Sequence, residues 1–67
     1  MNFIEQLYDS SHIWKFNIIH GLKIEGRVVD YRISSKAIPI TVTVQQSDDV
    51  TPVEIPWTSI QYITHLK

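Results

Sequence analysis

Little in this chain is arranged for covalent chemistry, and a small set of residues is arranged for binding. There is no cysteine, which removes thiolate nucleophiles, thiolate metal sites and disulfides together. Ser10, Ser11 and His12 are contiguous and read as the end of a helix, not as a nucleophile with its base. Asp48-Asp49 is turn chemistry. His12, His20 and His65 lie far apart and lack the spacing of metal ligands. No enzyme activity, cofactor or metal is expected. Two groups remain. Arg32, Ser34 and Lys36 form a basic, hydroxyl-bearing connector, whose plain reading is a solvated loop. Trp57 stands between Pro56 and Thr58 and carries an aromatic face on which a base can stack. Its plainer reading is a core or intersubunit tryptophan. Thr58 either donates a hydrogen bond to a ligand or shapes the turn.

These residues must be held by short elements. Asn2 and Glu5 form an approximate capping box, and Phe3, Ile4, Leu7 and Tyr8 share one helical face, which predicts a helix over residues 2 to 10. It is too short to stand alone in water and must pack on a sheet. Residues 13 to 19 alternate as a strand, and His20-Gly21 is a tight turn. Residues 22 to 33 read as one long strand. Its apolar phase is Leu22 and Ile24 before Gly26, then Val28 and Val29 together, then Tyr31 and Ile33. A regular strand keeps one phase, and a glycine inside a strand marks a bulge or a tight bend. The strand is therefore expected to bend across two faces. Residues 38 to 45 alternate again, with Ile38, Ile40, Val42 and Val44 on one face. A turn at Ser47-Asp48-Asp49, a strand over 53 to 57, a short turn at Thr58-Ser59 and a strand over 60 to 66 complete the chain. The expected fold is all-β with a short N-terminal helix: a five-stranded, strongly bent antiparallel small barrel over residues 12 to 66, in one domain spanning residues 1 to 67.

The chain has 67 residues, 43% hydrophobic and 19% charged, with a net charge of −1. A domain this small is marginal alone and usually needs a staple. With disulfides and thiolate metals excluded, self-association is the staple expected. No apolar run is long enough to span a bilayer, and the N-terminus lacks a signal-peptide pattern, so a cytoplasmic protein without membrane contact is expected. The charge is uneven. Residues 15 to 36 hold five cations against two anions, and residues 48 to 54 hold three anions and no cation. A ring of copies would repeat that asymmetry around its axis and concentrate a positive face.

Two stretches carry a family resemblance. Gly21 and Gly26 have the five-residue glycine spacing of a first motif, followed by the aromatic Tyr31. Ile55-Pro56-Trp57-Thr58-Ser59-Ile60-Gln61-Tyr62-Ile63 matches a second motif at Ile55, Ile60, Tyr62 and Ile63. With a helix before five bent strands, the chain resembles the Sm-like family (Sm, Lsm and Hfq). His20-Gly21-Leu22-Lys23-Ile24-Glu25-Gly26 is similar to the corresponding Asn-Gly-Ile-Lys-Leu-Gln-Gly run of Hfq. The departures fall on the family's RNA-contacting positions. Arg32 stands where the family has an Asp, Lys36 near its Asn and Ser34 near its base-stacking residue. Pro56-Trp57 replaces Arg-Gly, or the Lys-His of Hfq. Asn17 stands about where Hfq carries a first-strand tyrosine for purine-rich RNA, so no such site is expected at Asn17 and Lys23.

The resemblance implies a ring of five to seven identical subunits in which the fourth strand of one pairs with the fifth of the next, placing Val53, Ile55, Ile60, Tyr62 and Ile63 at the oligomer interface. It implies single-stranded RNA at or near a central pore, in RNA metabolism or a chaperone-type role, contacted by Arg32, Ser34, Lys36, Trp57 and Thr58. Such binding would be salt-sensitive and weakly base-selective. The alternatives are a small-barrel module that binds protein partners through an aromatic groove of Trp57, Tyr31 and Tyr62, and a purely structural ring.

Overall fold

A computed structural model describes residues 3–9 and 12–67, with side chains described from Glu5 to Tyr8 in the helix. The order is α1 (Phe3–Asp9), β1 (Trp14–Ile18), a 3₁₀ turn (Ile19–Gly21), β2 (Leu22–Ile33), β3 (Pro39–Gln45), β4 (Val53–Pro56), a 3₁₀ turn (Trp57–Ser59) and β5 (Ile60–His65). The expected cap at Asn2 and the helix end at Ser10 lie outside the described residues. The other boundaries shift by one residue at most, and β2 keeps its expected span. Trp57 leaves the fourth strand for the turn, and β5 ends at His65 instead of Leu66.

The five strands form one antiparallel sheet in the order β4-β3-β2-β1-β5. The sheet does not close into a barrel, which corrects that expectation. It is nonetheless rolled, and the chain itself requires this. In a flat sheet the two outer strands would lie about 19 Å apart, four spacings of about 4.8 Å. Here the end of β4 and the start of β5 are joined by three residues, Trp57–Ser59, which bridge about 14 Å at full stretch. Only a strongly curved sheet brings its two margins that close. The margin strand β4 is the shortest of the five: it has four residues and ends at Pro56, which has no N–H.

The curvature comes from β2, which serves two partners. Its first half pairs with β1, Ile18↔Leu22 to Trp14↔Gly26, and its second half pairs with β3 from Arg27↔Gln45 onward. Gly26 sits at the handover. A β-carbon there would lie 2.3 Å from the Gln45 carbonyl oxygen and 2.9 Å from Val44 Cγ1. The glycine expected to matter here does so through close backbone approach, which leaves no room for a side chain where the strand changes partners. The phase change has a different origin. Val28 pairs with Val44 and Asp30 with Thr43, so Val29 is an extra residue, a bulge that moves the core-facing set from even to odd positions.

A second bulge corrects the expected β3 pattern. Arg32 pairs with Thr41 but Ile33 with Pro39, leaving Ile40 as the extra residue. Val42 and Val44 are fully buried, whereas Ile40 is 44% and Ile38 58% exposed. The even-numbered face of β3 is thus interrupted at its start.

Leu7, Phe16, Ile18, Val28, Val42, Val44 and Ile55 form the core. Leu7 delivers the helix to it, and the Tyr8 ring meets Tyr31 edge-on at 5.3 Å. Burial of these few side chains, each contributing roughly 1.5–3 kcal/mol, holds the helix and both halves of the sheet to a common centre. His20 and Gly21 both adopt positive φ (69° and 78°) in the first turn, so the turn uses two left-handed residues where only the glycine was expected to supply one.

Candidate functional site

The antiparallel register gathers the two candidate groups at one end of the sheet. Arg32 near the end of β2 pairs with Thr41 near the start of β3, and Thr41 pairs with Pro56 at the end of β4. The connector after β2 and the turn after β4 therefore leave the sheet side by side. Arg32, Ser34, Lys36, Trp57 and Thr58, separated by up to 26 positions in sequence, are grouped by this three-strand rung.

Each residue has a defined place. Arg32, Lys36 and Thr58 are exposed, and Ser34 and Trp57 are half-buried. Ser34 organises the connector. Its hydroxyl oxygen accepts the Lys36 N–H at 3.2 Å and the Ile38 N–H at 3.1 Å. Its backbone N–H donates to the Ile38 carbonyl at 2.9 Å, and its carbonyl accepts the Ala37 N–H at 2.9 Å. Ala37 takes the left-handed conformation (φ 61°) that closes the turn. The hydroxyl expected to contact ligand is thus committed as an acceptor within its own loop, and it fixes how Lys36 and Ile38 are presented.

Trp57 has two environments. It packs against the core, and it also lines an open cleft of about 260 Å³ with Ile60, Gln61, Tyr62 and Ile63. Gln61 is the bulged residue of β5, because Asn17 pairs with Tyr62 while Ile18 pairs with Ile60. The expected interface residues divide. Ile55 is only 3% exposed and belongs to the protomer core, so its side chain is not offered to a neighbour. Val53, Ile60 and Ile63 are half-buried against that core. Tyr62, 60% exposed, is the large side chain that faces outward. What β4 and β5 offer to a neighbour is mainly backbone, since each has a strand partner on one side only. Tyr31, expected in an aromatic groove, is instead covered by Tyr8 and the core.

Thr41, at the centre of the rung, is 9% exposed, and its hydroxyl oxygen is buried without a hydrogen-bond partner. An unsatisfied buried hydroxyl destabilises. Thr41→Val, which keeps the shape and removes the hydroxyl, is expected to stabilise the fold by about 1 kcal/mol. Urea unfolding followed by circular dichroism checks this: the midpoint should rise, and a fall would mean that the hydroxyl is bonded.

Sequence reasoning missed one cluster. The β1–β5 pairing sets Trp14 opposite His65 and brings His12 beside them. The His12 and His65 rings are 4.7 Å apart and the Trp14 and His65 rings 4.8 Å, and His12 Nδ1 lies 3.0 Å from the Lys67 carbonyl. No local signal links residues 53 positions apart; only the strand pairing does. Among the described residues no group of three or more His, Cys, Asp or Glu is placed to hold a metal ion. No helix among them is long and apolar enough to cross a membrane.

The chain matches no protein-family model, no curated protein and no solved structure. The functional reading therefore rests on the residues and their arrangement.

Proposed function

We propose that this chain is a divergent Sm-like subunit that assembles into a homo-oligomeric ring and binds single-stranded RNA at the end of the sheet where Arg32, Lys36 and Trp57 converge. The observation that carries the reading is the rolled, unclosed sheet: strand order β4-β3-β2-β1-β5, bent at Gly26, with the two free margins β4 and β5 joined by one 3₁₀ turn. A margin with unpaired backbone groups is a template for another strand. Pairing β4 of one copy with β5 of the next satisfies both margins, and cyclic closure leaves none. Each copy then presents the same basic connector towards the axis, where repeated cations attract a phosphate backbone. Trp57 borders the adjacent cleft and supplies a ring for an unpaired base.

Light scattering tests assembly and fluorescence anisotropy tests the ligand. A mass of five to seven protomers at micromolar concentration is expected, with binding of oligo-uridine or oligo-adenine that weakens from low to high salt. A clean monomer would remove the ring and its pore. The cleft beside Trp57 and Tyr62 also favours a second reading, a module that docks a peptide along the β5 margin. An assembled protein that binds neither oligonucleotide at low salt would favour it.

A further inference from the structure

We infer that Ile38 and Ile40 form an aliphatic base-contact surface for the bound RNA. The inference rests on the RNA reading above and adds a contact type to that site. The bulge in β3 is its origin. In an uninterrupted strand Ile40 would share the buried face of Val42 and Val44, both fully buried. The extra residue between the Arg32↔Thr41 and Ile33↔Pro39 pairs places Ile40 at 44% exposure instead. Ile38, 58% exposed, stands two residues before it and is pinned by Ser34 through both its N–H and its carbonyl. Two exposed isoleucines are thus held at defined positions by hydrogen bonds and register.

Charge selects the occupant. Arg32 pairs with the residue that follows Ile40, and Lys36 precedes Ile38 by two positions in the same pinned turn. Both cations are exposed. An apolar pair with one cation near it in register and another near it in sequence suits a ligand that is anionic along its backbone and apolar on its flat faces. Single-stranded nucleic acid has that pairing: the phosphates meet the cations and a base face covers the isoleucines. An aliphatic surface has no directional hydrogen bonds, so it contributes affinity without distinguishing one base from another.

The test crosses side chain with base. Wild type and the double variant Ile38→Ser/Ile40→Thr are titrated with labelled oligo-uridine and with an abasic ribose-phosphate strand of equal length. Threonine at position 40 keeps β-branching, and circular dichroism confirms the fold. Wild type is expected to prefer oligo-uridine, and the double variant to lose roughly five-fold in affinity for it. Its affinity for the abasic strand and the salt dependence of its binding should be unchanged. The inference is overturned by unchanged oligo-uridine affinity, by equal weakening on both strands, or by a drop in assembly mass, which would make the isoleucines a contact between copies. A wild type that binds neither strand overturns the RNA reading itself; one that binds both equally overturns only the base contact.

Discussion

Gly26→Ala is expected to cost about 3–5 kcal/mol and leave much of the protein unfolded. Total stability for a domain of this length is of order 3–10 kcal/mol. The added methyl group would sit 2.3 Å from the Gln45 carbonyl oxygen and 2.8 Å from its carbonyl carbon. Both are backbone atoms of β3, so no side-chain rotation relieves the clash. Either β3 retreats from β2 and the corner opens, or the first half of β2 leaves β1. Both routes uncouple the two halves of the sheet and expose Val44, which is otherwise fully buried. Gly21→Ala is the control. It also changes glycine to alanine, at φ 78° but with no atom within 4 Å of the new carbon, so left-handed strain of about 1–2 kcal/mol is its expected cost. Urea unfolding of both variants separates the effects. Equal midpoints would mean that β2 bends by some means other than close approach at Gly26.

That glycine shows what a sequence of this kind discloses. The long strand over residues 22 to 33 was legible to the residue, because a twelve-residue run of alternating β-prone side chains has no good helical reading. The special position within it was legible because a glycine interrupted it, and Gly26 is where the strand changes partners. The cause of the phase change was not. Val28-Val29 shows that two adjacent positions are apolar, but a bulge is a relation to a partner strand, and the partner's register is set by tertiary pairing. The same limit explains Ile40. Its alternation with Val42 and Val44 is perfect in the sequence, and only the offset between Arg32↔Thr41 and Ile33↔Pro39 turns it outward.

The candidate site divides in the same way. Arg32, Lys36 and Trp57 were nameable because cations in a connector and a tryptophan beside a turn are local features. Their gathering follows from an antiparallel β2-β3-β4 run, which the alternation already implied. Ser34 has a structural role that its residue type alone did not single out. A serine at the first position of a turn is as well suited to capping backbone N–H groups as to meeting a ligand, and here it receives two of them. Ile55 shows how side chain and backbone divide in such a strand. A β-prone residue in a margin strand presents its backbone edge to a neighbour while its side chain fills the core, as its 3% exposure records.

Arg32→Glu is expected to lower RNA affinity by roughly 100-fold or more at low salt while leaving the fold intact. Arg32 is exposed, and its cross-strand partner Thr41 is uncharged, so no cross-strand ion pair is lost from the protomer. Two rungs away, Asp30 and Glu54 flank Thr43 from either side. Reversal at position 32 would extend that acidic rung to the edge of the connector and leave Lys36 as the nearby cation. The size of the effect comes from repetition. A ring of five to seven copies would exchange about ten to fourteen charges around one axis, enough to turn attraction of a polyanion into repulsion. Arg32→Gln, which removes the charge without reversing it, should fall between wild type and Arg32→Glu and should flatten the dependence of affinity on salt. The measurement is anisotropy at two or more salt concentrations, with mass determined on the same samples. If Arg32→Glu binds as wild type does while still assembled, the connector does not meet the RNA, and the cleft beside Trp57 and Tyr62 becomes the surface to examine.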